Sequence, residues 1–589
     1  MPITKTQALF TAYMLLASGT QAQQANTQAP PSQAEAAARL RAEQDQQRQQ
    51  QQDARQRESM IHAPTVRSVR ESLPEWPTLP HETPCFRIDA IELDTPEALP
   101  DSARTQGASL LPHDRFAFAQ QWTDHYVGRC MGKQGVDAIV KGMQRVILSR
   151  GYVTTRVLLP EQDLSGGTLR IALIPGVIDQ IRFADPGLYG TWKSAFPARG
   201  GDLLDLRDLE QGLEQMKRVS NQTVSMQIVP AQGPGSSDVV LDVARTKPWT
   251  LVASVDNTGT RATGKLQGSV SLGVYNPLGL NDVFNVGMTH DLSVRDKAFR
   301  SHGWNGSYTI PWGYWRATLA AYANRYYQQI AGVNQTFVAS GNSQTADVSI
   351  SRVLSRGQRH VSGAQIRLSR RFGQSFIEDI EIAHQRRNDA AIEVGFTHRQ
   401  YWGTTQLDGL LAYRQGIGAF GARQDRLAAN GGPTYRYRMA LLDTTLSASF
   451  LAAGQPIRYV TTLHGQYTGN TLHYIDTLSI GGRYTVRGFD GETMLAAARG
   501  LYWRNEIQLP IGLTGHALYT GIDYGQVWGP QPVVLNGTRL VGTFVGVRGN
   551  VATRAGSYGY DVFAGTPVYK PAGFQTAKWT VGFQLTAQI

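Results

Sequence analysis

Beyond its first twenty-two positions the 589-residue chain has no run of about eighteen apolar residues, so it contains no helix apolar enough to cross a membrane. Cysteine is scarce, with only Cys85 and Cys130, and no cluster of His and Cys at zinc spacing accompanies them. Catalytic signatures are missing too: there is no zincin helix and no nucleophile elbow, and the histidines are scattered. Gly259 to Leu266 imitates a phosphate-binding loop, yet it lacks the Ser or Thr that holds magnesium and no helix follows it. No catalytic residue, metal or cofactor is expected. What is abundant is glycine, with 61 residues, alongside 24 Tyr and 11 Trp in a chain only 41% hydrophobic with mean hydropathy −0.29. Glycine and aromatics without apolar runs suit a membrane barrel, in which only every second residue faces lipid. A basic lumen accounts for the net charge of +11 without nucleic acid.

The N-terminus sets the compartment. Lys5 precedes a short apolar stretch, Ala8 to Ala17, followed by small residues up to Ala22. That order is a secretory signal peptide over 1–22, and its apolar part is too short to span a bilayer. In an exported chain an even pair of cysteines reads as a disulfide, so Cys85 and Cys130 are expected to join.

Five regions follow. Residues 23–60 are dominated by Gln, Ala, Arg and Glu, and good helix formers fill 35–57 without any apolar face. Such a segment is either a solvated Gln-rich leader or a helix held in a water-filled cavity. A Pro-punctuated linker occupies 61–83. From 84 to 176 an α/β domain is expected, with strands at Phe86 to Leu93, Tyr152 to Leu159 and Leu169 to Ile174 and a helix at Gly135 to Ser149. A second unit of similar plan runs from 177 to 247, with a helix at Leu206 to Val219.

From 248 to 589 helical periodicity disappears and segments of about ten residues alternate between turns. Leu501, Trp503, Ile507 and Leu509 oppose Tyr502, Arg504, Glu506 and Gln508; Trp579, Val581, Phe583, Leu585, Ala587 and Ile589 share one face. A soluble sandwich and a transmembrane barrel both produce this alternation. The signal peptide, the apolar last segment and strand starts about twenty residues apart favour a barrel of about sixteen antiparallel strands, wide enough for an aqueous passage.

One segment departs from the pattern. Ser479 to Gly491 is too glycine-rich for a strand interior and too basic for lipid contact. A connection of this kind folds back on itself, and Arg487, if carried into the lumen, needs an acidic partner. In Leu518 to Gln526 the apolar face is Leu518, Ile522 and Tyr524, which turns Gly521, Asp523 and Gly525 inward. The residues by themselves leave open a second case, two unrelated charges in separate loops.

Val486-Arg487-Gly488-Phe489 resembles the signature loop of the barrel superfamily that includes two-partner secretion transporters and barrel-assembly proteins. Asp523-Tyr524-Gly525 is similar to that superfamily's lumen-facing acidic motif. Four further stretches resemble the secretion branch: Gly151 to Arg156, Leu159 to Leu164, Asn276 to Asp282 and Phe563 to Pro567. The Cys85–Cys130 pair is similar to one carried by haemolysin-activator and contact-dependent-inhibition transporters. The resemblance covers about residues 84 to 589. It implies two POTRA domains, a sixteen-stranded barrel, a plug helix over 35–57, and Arg487 paired with Asp523 inside the lumen. Two positions depart from it: Gly521 stands where an aromatic is usual, and the final residue is Ile589 where an aromatic is usual, with Phe583 keeping the register.

The resemblance further implies a monomer of the Gram-negative outer membrane, surrounded by its lipid and inserted by the barrel assembly machinery. It would recognise an unfolded TpsA-type exoprotein (an adhesin, haemolysin or contact-dependent toxin) through its POTRA domains and export it without ATP. A barrel-assembly or lipid-handling chaperone of the same superfamily is the alternative; a passive porin does not fit two soluble domains.

Overall fold

The computed structural model describes residues 76–589 apart from 98, 100, 106–114, 262–263, 293–299, 332–335, 424–427, 429–430, 513–514 and 530–536. The expected signal peptide, the segment 23–60 with its helix over 35–57, and residues 61–75 of the linker lie outside the described residues.

In the first domain α1 (Ala117–Asp124) and α2 (Lys133–Arg150) pack on a three-stranded sheet. Thr168–Ile174 runs at its centre, parallel to Ala90–Asp94 and antiparallel to Arg156–Leu158. Ile139, Met143 and Ile147 recur every four residues, forming the stripe of α2 that is buried in one cluster with Leu169, Ile171 and Leu173. Two sequence expectations change. The strand from Phe86 to Leu93 is broken into Phe86–Arg87, paired with Cys130–Met131, and Ala90–Asp94; Cys85 and Cys130 are disulfide-bonded beside that pairing. Tyr152 to Thr155 are not strand, because they form the joint to the next domain. Gly151 ends α2 in the left-handed conformation and accepts a hydrogen bond from Leu206 N at 3.0 Å, while Thr155 Oγ1 accepts one from Gly176 N at 3.0 Å. A Cβ at Gly176 would lie 1.9 Å from Thr154 Oγ1, so glycine is required where the two domains touch. Helix α1, eight residues long, is too short to show a period in the sequence.

The second domain repeats the plan. Ser236–Arg245 lies between Val177–Phe183 and Gln222–Pro230, and α3 (Leu206–Lys217) packs on the sheet through Leu209, Leu213 and Met216. Asp205 caps α3 by accepting from Arg207 N at 2.8 Å.

Sixteen long antiparallel strands then close a barrel. They are β1 Trp249–Asp256, β2 Gln267–Tyr275, β3 Val283–Asp291, β4 Arg300–Trp312, β5 Trp315–Ala331, β6 Thr336–Arg356, β7 His360–Ile377 and β8 Arg387–Trp402. The ring continues with β9 Thr405–Ile417, β10 Arg438–Ala452, β11 Gln455–Thr468, β12 Arg499–Ile511, β13 His516–Trp528, β14 Arg539–Ala552, β15 Ser557–Tyr569 and β16 Thr580–Gln588. β16 pairs with β1, and Ile589 exchanges two backbone hydrogen bonds with Leu251 at 2.9 and 3.1 Å. Side chains alternate as the period of two requires. On β13 Leu518 and Ile522 are exposed on the outside, whereas Tyr519 and Asp523 are buried within. Trp304, Leu319, Ile350, Ile366, Phe396, Leu411, Trp503 and Val581 continue the exposed apolar belt around the ring, the surface that meets lipid.

Candidate functional site

Residues 469–498, between β11 and β12, do not project away from the barrel. They run down into the lumen as a hairpin whose limbs, Leu478–Ile480 and Leu495–Ala497, pair with each other. At the tip, Thr485 Oγ1 accepts from the backbone N–H groups of Gly481 and Gly482, a local turn that presents Val486 to Phe489 to the wall.

That wall is made of glycine. A Cβ at Gly525 on β13 would lie 2.8 Å from Val486 Cγ2, one at Gly542 on β14 would lie 1.9 Å from the Arg487 carbonyl oxygen, and one at Gly565 on β15 would lie 2.8 Å from Gly488 Cα. Three successive strands thus withdraw their side chains so that the loop backbone lies flat on the sheet. Gly488 answers with φ +103°, a conformation closed to other residues, and a Cβ there would meet the Thr566 carbonyl. Phe489 is buried edge-on against Phe574, with ring centres 5.8 Å apart.

Arg487 and Asp523 stand together at this place. The Asp523 carboxylate, 0% exposed, accepts from Arg487 Nε at 2.7 Å, Arg487 Nη2 at 2.9 Å, the Arg487 backbone N–H at 2.9 Å and Asn505 N at 3.1 Å. Arg487 Nη1 donates to Glu506 on β12. Glu506 also accepts from Gln508 at 2.7 Å and faces Arg548 Nη2 at 3.0 Å. The flat face of the Arg487 guanidinium lies 3.6 Å from the Phe544 ring centre, a cation–π contact strengthened by burial. Arg548 stacks likewise on Tyr519 at 3.9 Å, and the Tyr519 hydroxyl donates to Asp561. Arg504 Nε lies 4.0 Å from Asp523. Three guanidinium groups and three carboxylates are therefore interleaved in one small volume. A bidentate fork to Asp523, with Nη1 engaged by a second carboxylate, satisfies the condition for burying charge.

Glu506 and Phe544 were not singled out from the sequence. Glu506 lies on the inward face of its strand in the alternation, but no pattern says which inward carboxylate an incoming loop will meet. Phe544 accounts for the unusual Gly521: the two residues are register partners on β13 and β14, and a Cβ at 521 would lie 2.8 Å from the Phe544 ring. The ring comes from the neighbouring strand.

The second soluble domain is seated on the barrel through three turns. Around the Asn276–Asp282 turn, Asn281 Nδ2 donates to the Thr191 carbonyl at 2.7 Å and to Ser194 Oγ at 3.0 Å, while Ser194 Oγ donates to the Leu280 carbonyl at 2.7 Å. At the β4–β5 turn, Gln211 and Gln215 donate to the Gly313 carbonyl, each at 3.2 Å, and the Tyr314 hydroxyl donates to Asp208. At the end of β6, Arg356 donates to Gln211 at 2.9 Å and to Glu214 at 2.7 Å. The polar outer face of α3 is buried for this reason. Burial pushes the Asp205 carboxyl up to about 6 and raises that of Asp208 as well. Burial also acts on Glu214, but its neighbours Arg356 and Arg218 prevail and hold its carboxyl below the usual range.

Residues 235–549 match the family described as haemolysin secretion/activation protein ShlB/FhaC/HecB, 99–176 match a POTRA domain of ShlB type, and 177–230 match a POTRA domain. The chain belongs to this haemolysin secretion/activation family. It is 60% identical over 569 residues, covering 97% of each chain, to the outer membrane transporter CdiB-2 of Burkholderia pseudomallei (strain 1026b). The solved structure of CdiB from Acinetobacter baumannii is similar at a TM-score of 0.80 and 27% identity, covering 94% of this chain and 99% of that one. CdiB from Escherichia coli is similar at a TM-score of 0.81 and 25% identity, covering 92% and 98%.

As a member of the family, the chain places its barrel in the outer membrane and its POTRA domains in the periplasm. Members of the family are transporters. Three of the family-like stretches acquire physical reasons here. Gly151 to Arg156 supplies the joint between POTRA domains, Asn276 to Asp282 the turn that receives the second of them, and Phe563 to Pro567 the wall beneath Gly488.

Proposed function

We propose that this chain secretes a partner exoprotein of the TpsA type, which crosses the barrel unfolded and folds at the cell surface. The observation that carries this reading is the lumen loop itself. The barrel is closed, and a loop whose tip is docked by one concentrated ionic cluster lies inside it, so clearing the lumen requires that Arg487 leave Asp523 and Glu506. Leaving one partner of such a buried cluster uncompensated costs about 3–5 kcal/mol, so the docked tip is a defined working part of the transporter, and removing Arg487 disables it.

Delivery falls to the periplasmic side. In the first POTRA domain Arg156–Leu158 is an edge strand, Leu158 and Leu159 are exposed, and a groove of about 700 Å³ lined by Phe86, Val136 and Leu164 lies beside them. An extended segment can add to such an edge by main-chain hydrogen bonds. Folding of the exported chain outside then supplies direction in place of ATP. Relatives from Proteus mirabilis and Serratia marcescens are named hemolysin transporters, which supports a cargo of the haemolysin kind.

The test is co-expression with an exoprotein of the TpsA type that the wild-type chain secretes. Arg487→Ala should insert as a folded barrel yet release little or none of the partner. Wild-type release from that variant would overturn the reading.

A further inference from the structure

Two buried ionic contacts hold the lumen loop to different parts of the ring, on β12–β13 and on β7–β8, and with the charges reversed. At the tip the loop supplies the base, Arg487, and strands β12 and β13 supply the acids. At the base the loop supplies an acid, Asp476, whose side chain is 3% exposed, and the wall supplies the guanidiniums. Arg371 Nη1 on β7 donates to Asp476 Oδ1 at 2.8 Å, and Arg387 Nη2 on β8 lies 3.4 Å from the same oxygen. Arg387 is itself oriented by Asp389, to which Nη2 donates at 3.1 Å.

Packing divides the loop at the same place. Leu472 and Ala498 are buried with Tyr437, Met439, Leu441 and Ala412 in one cluster, and the His473 ring stacks on Tyr435 at 3.8 Å. Leu478, Ile480, Val486, Phe489 and Leu495 belong to a second cluster with Val527 and Leu540. The boundary falls at Asp476 and Thr477. Gln466 on β11 ties both limbs at the base, its Nε2 donating to the Asp476 carbonyl at 3.0 Å and to the Ala498 carbonyl at 3.1 Å. The tip hairpin has its own backbone pairing, and it docks on its own part of the wall through an apolar cluster and an ionic cluster that the base does not share.

We propose that Asp476 is a positioning residue that pins the base of the loop to β7 and β8, so that the tip hairpin, 478–497, moves as a separate body about that fixed base when Arg487 is released. The inference rests on the loop being the element that opens the passage. Two units with separate cores and separate ion pairs open independently, whereas a single unit opens as a whole. A tip that swings from a fixed base clears the lumen and returns to the same glycine surface, where a loop freed at both ends would not be guided back.

The experiment is amide hydrogen exchange on the full chain in lipid nanodiscs, reading 469–477 and 478–497 separately. In Asp476→Asn the base should exchange roughly tenfold faster or more while the tip keeps its wild-type rate; in Arg487→Ala the reverse is expected. Asp476→Glu should restore base protection. Should Asp476→Asn fail to give a folded, heat-modifiable barrel, Arg371→Gln weakens the same pair from the wall side and should show the same selective loosening. Equal acceleration of both segments by Asp476→Asn, or an unchanged base, would overturn the proposal. Reduced secretion of the partner with a protected tip supports it, and full secretion from Asp476→Asn overturns it. If instead Arg487→Ala secretes normally, the reading of the loop as the opening element fails while the exchange pattern still reports on the two units.

Discussion

Phe544 and Gly521 face each other across β13 and β14, and the ring of Phe544 occupies the space that a side chain at 521 would need. The ring covers the face of Arg487. An aromatic cover for the buried guanidinium is therefore present, displaced by one strand.

Phe544→Ala should open a cavity beside Arg487 and lower the stability of the folded barrel by about 3–5 kcal/mol. Moving the ring back, in Gly521→Phe/Phe544→Ala, should recover less than half of that, because a Cβ at 521 also meets the Asn505 carbonyl. The readout is the temperature at which the folded band converts to the unfolded band in gel migration. Full recovery in the double variant would show that the ring alone decides.

Glu506→Gln keeps the shape of the third partner and removes its charge, leaving Arg487 and Arg548 with one carboxylate fewer between them. We expect a stability loss of about 3–5 kcal/mol and a clear drop in partner secretion. In a double-mutant cycle with Arg487→Ala the two losses should be strongly non-additive. Simple additivity would mean that Glu506 acts elsewhere.

The Cys85–Cys130 bridge closes a separation of 45 residues around α1 in a small domain. Cys85→Ser should cost the first POTRA domain about 2–4 kcal/mol, seen as earlier cleavage of that domain in pulse proteolysis of the full chain. Free thiols in the exported protein, found by mass spectrometry, would remove the basis for this expectation.

Asp205 titrates at about 6 when folded, against 3.8 for an ordinary side chain. The folded domain binds this proton more tightly than the unfolded chain, so the group destabilises it above pH 6, and the penalty fades as pH falls toward 4. Asp205→Asn, which keeps the helix cap, should stabilise the second POTRA domain by up to about 3 kcal/mol at pH 7.5. Near pH 4 the variant and the wild type should coincide. Pulse proteolysis in urea at the two pH values measures this, and a gain independent of pH would point to packing.

The alternation along β13 turns Asp523 inward without any structure, and the glycine content of 479–491 marks a connection that folds back. Neither observation identifies Glu506 as the third partner. That depends on the stagger between β12 and β13, which sequence alternation does not encode. Asp476 was hidden for a related reason: its partners, Arg371 and Arg387, lie about a hundred residues earlier, on strands brought opposite only by closure of the ring. The POTRA cores were legible as helical stripes, whereas the polar outer face of α3 resembles any solvated surface until the barrel covers it.

The seating of the second POTRA domain has a mechanical consequence. If a chain held at the first POTRA domain is drawn outward by its own folding, the pull passes through the second, which is bolted to the wall of the conduit. Asp208 to Tyr314, Glu214 to Arg356 and Ser194 to Leu280 carry that load into three separate turns of one barrel. The reaction force is spread over strands β2 to β6 and reaches the membrane as a push on the whole cylinder, while the Arg487 cluster, on the far arc of the ring, stands outside the loaded sector.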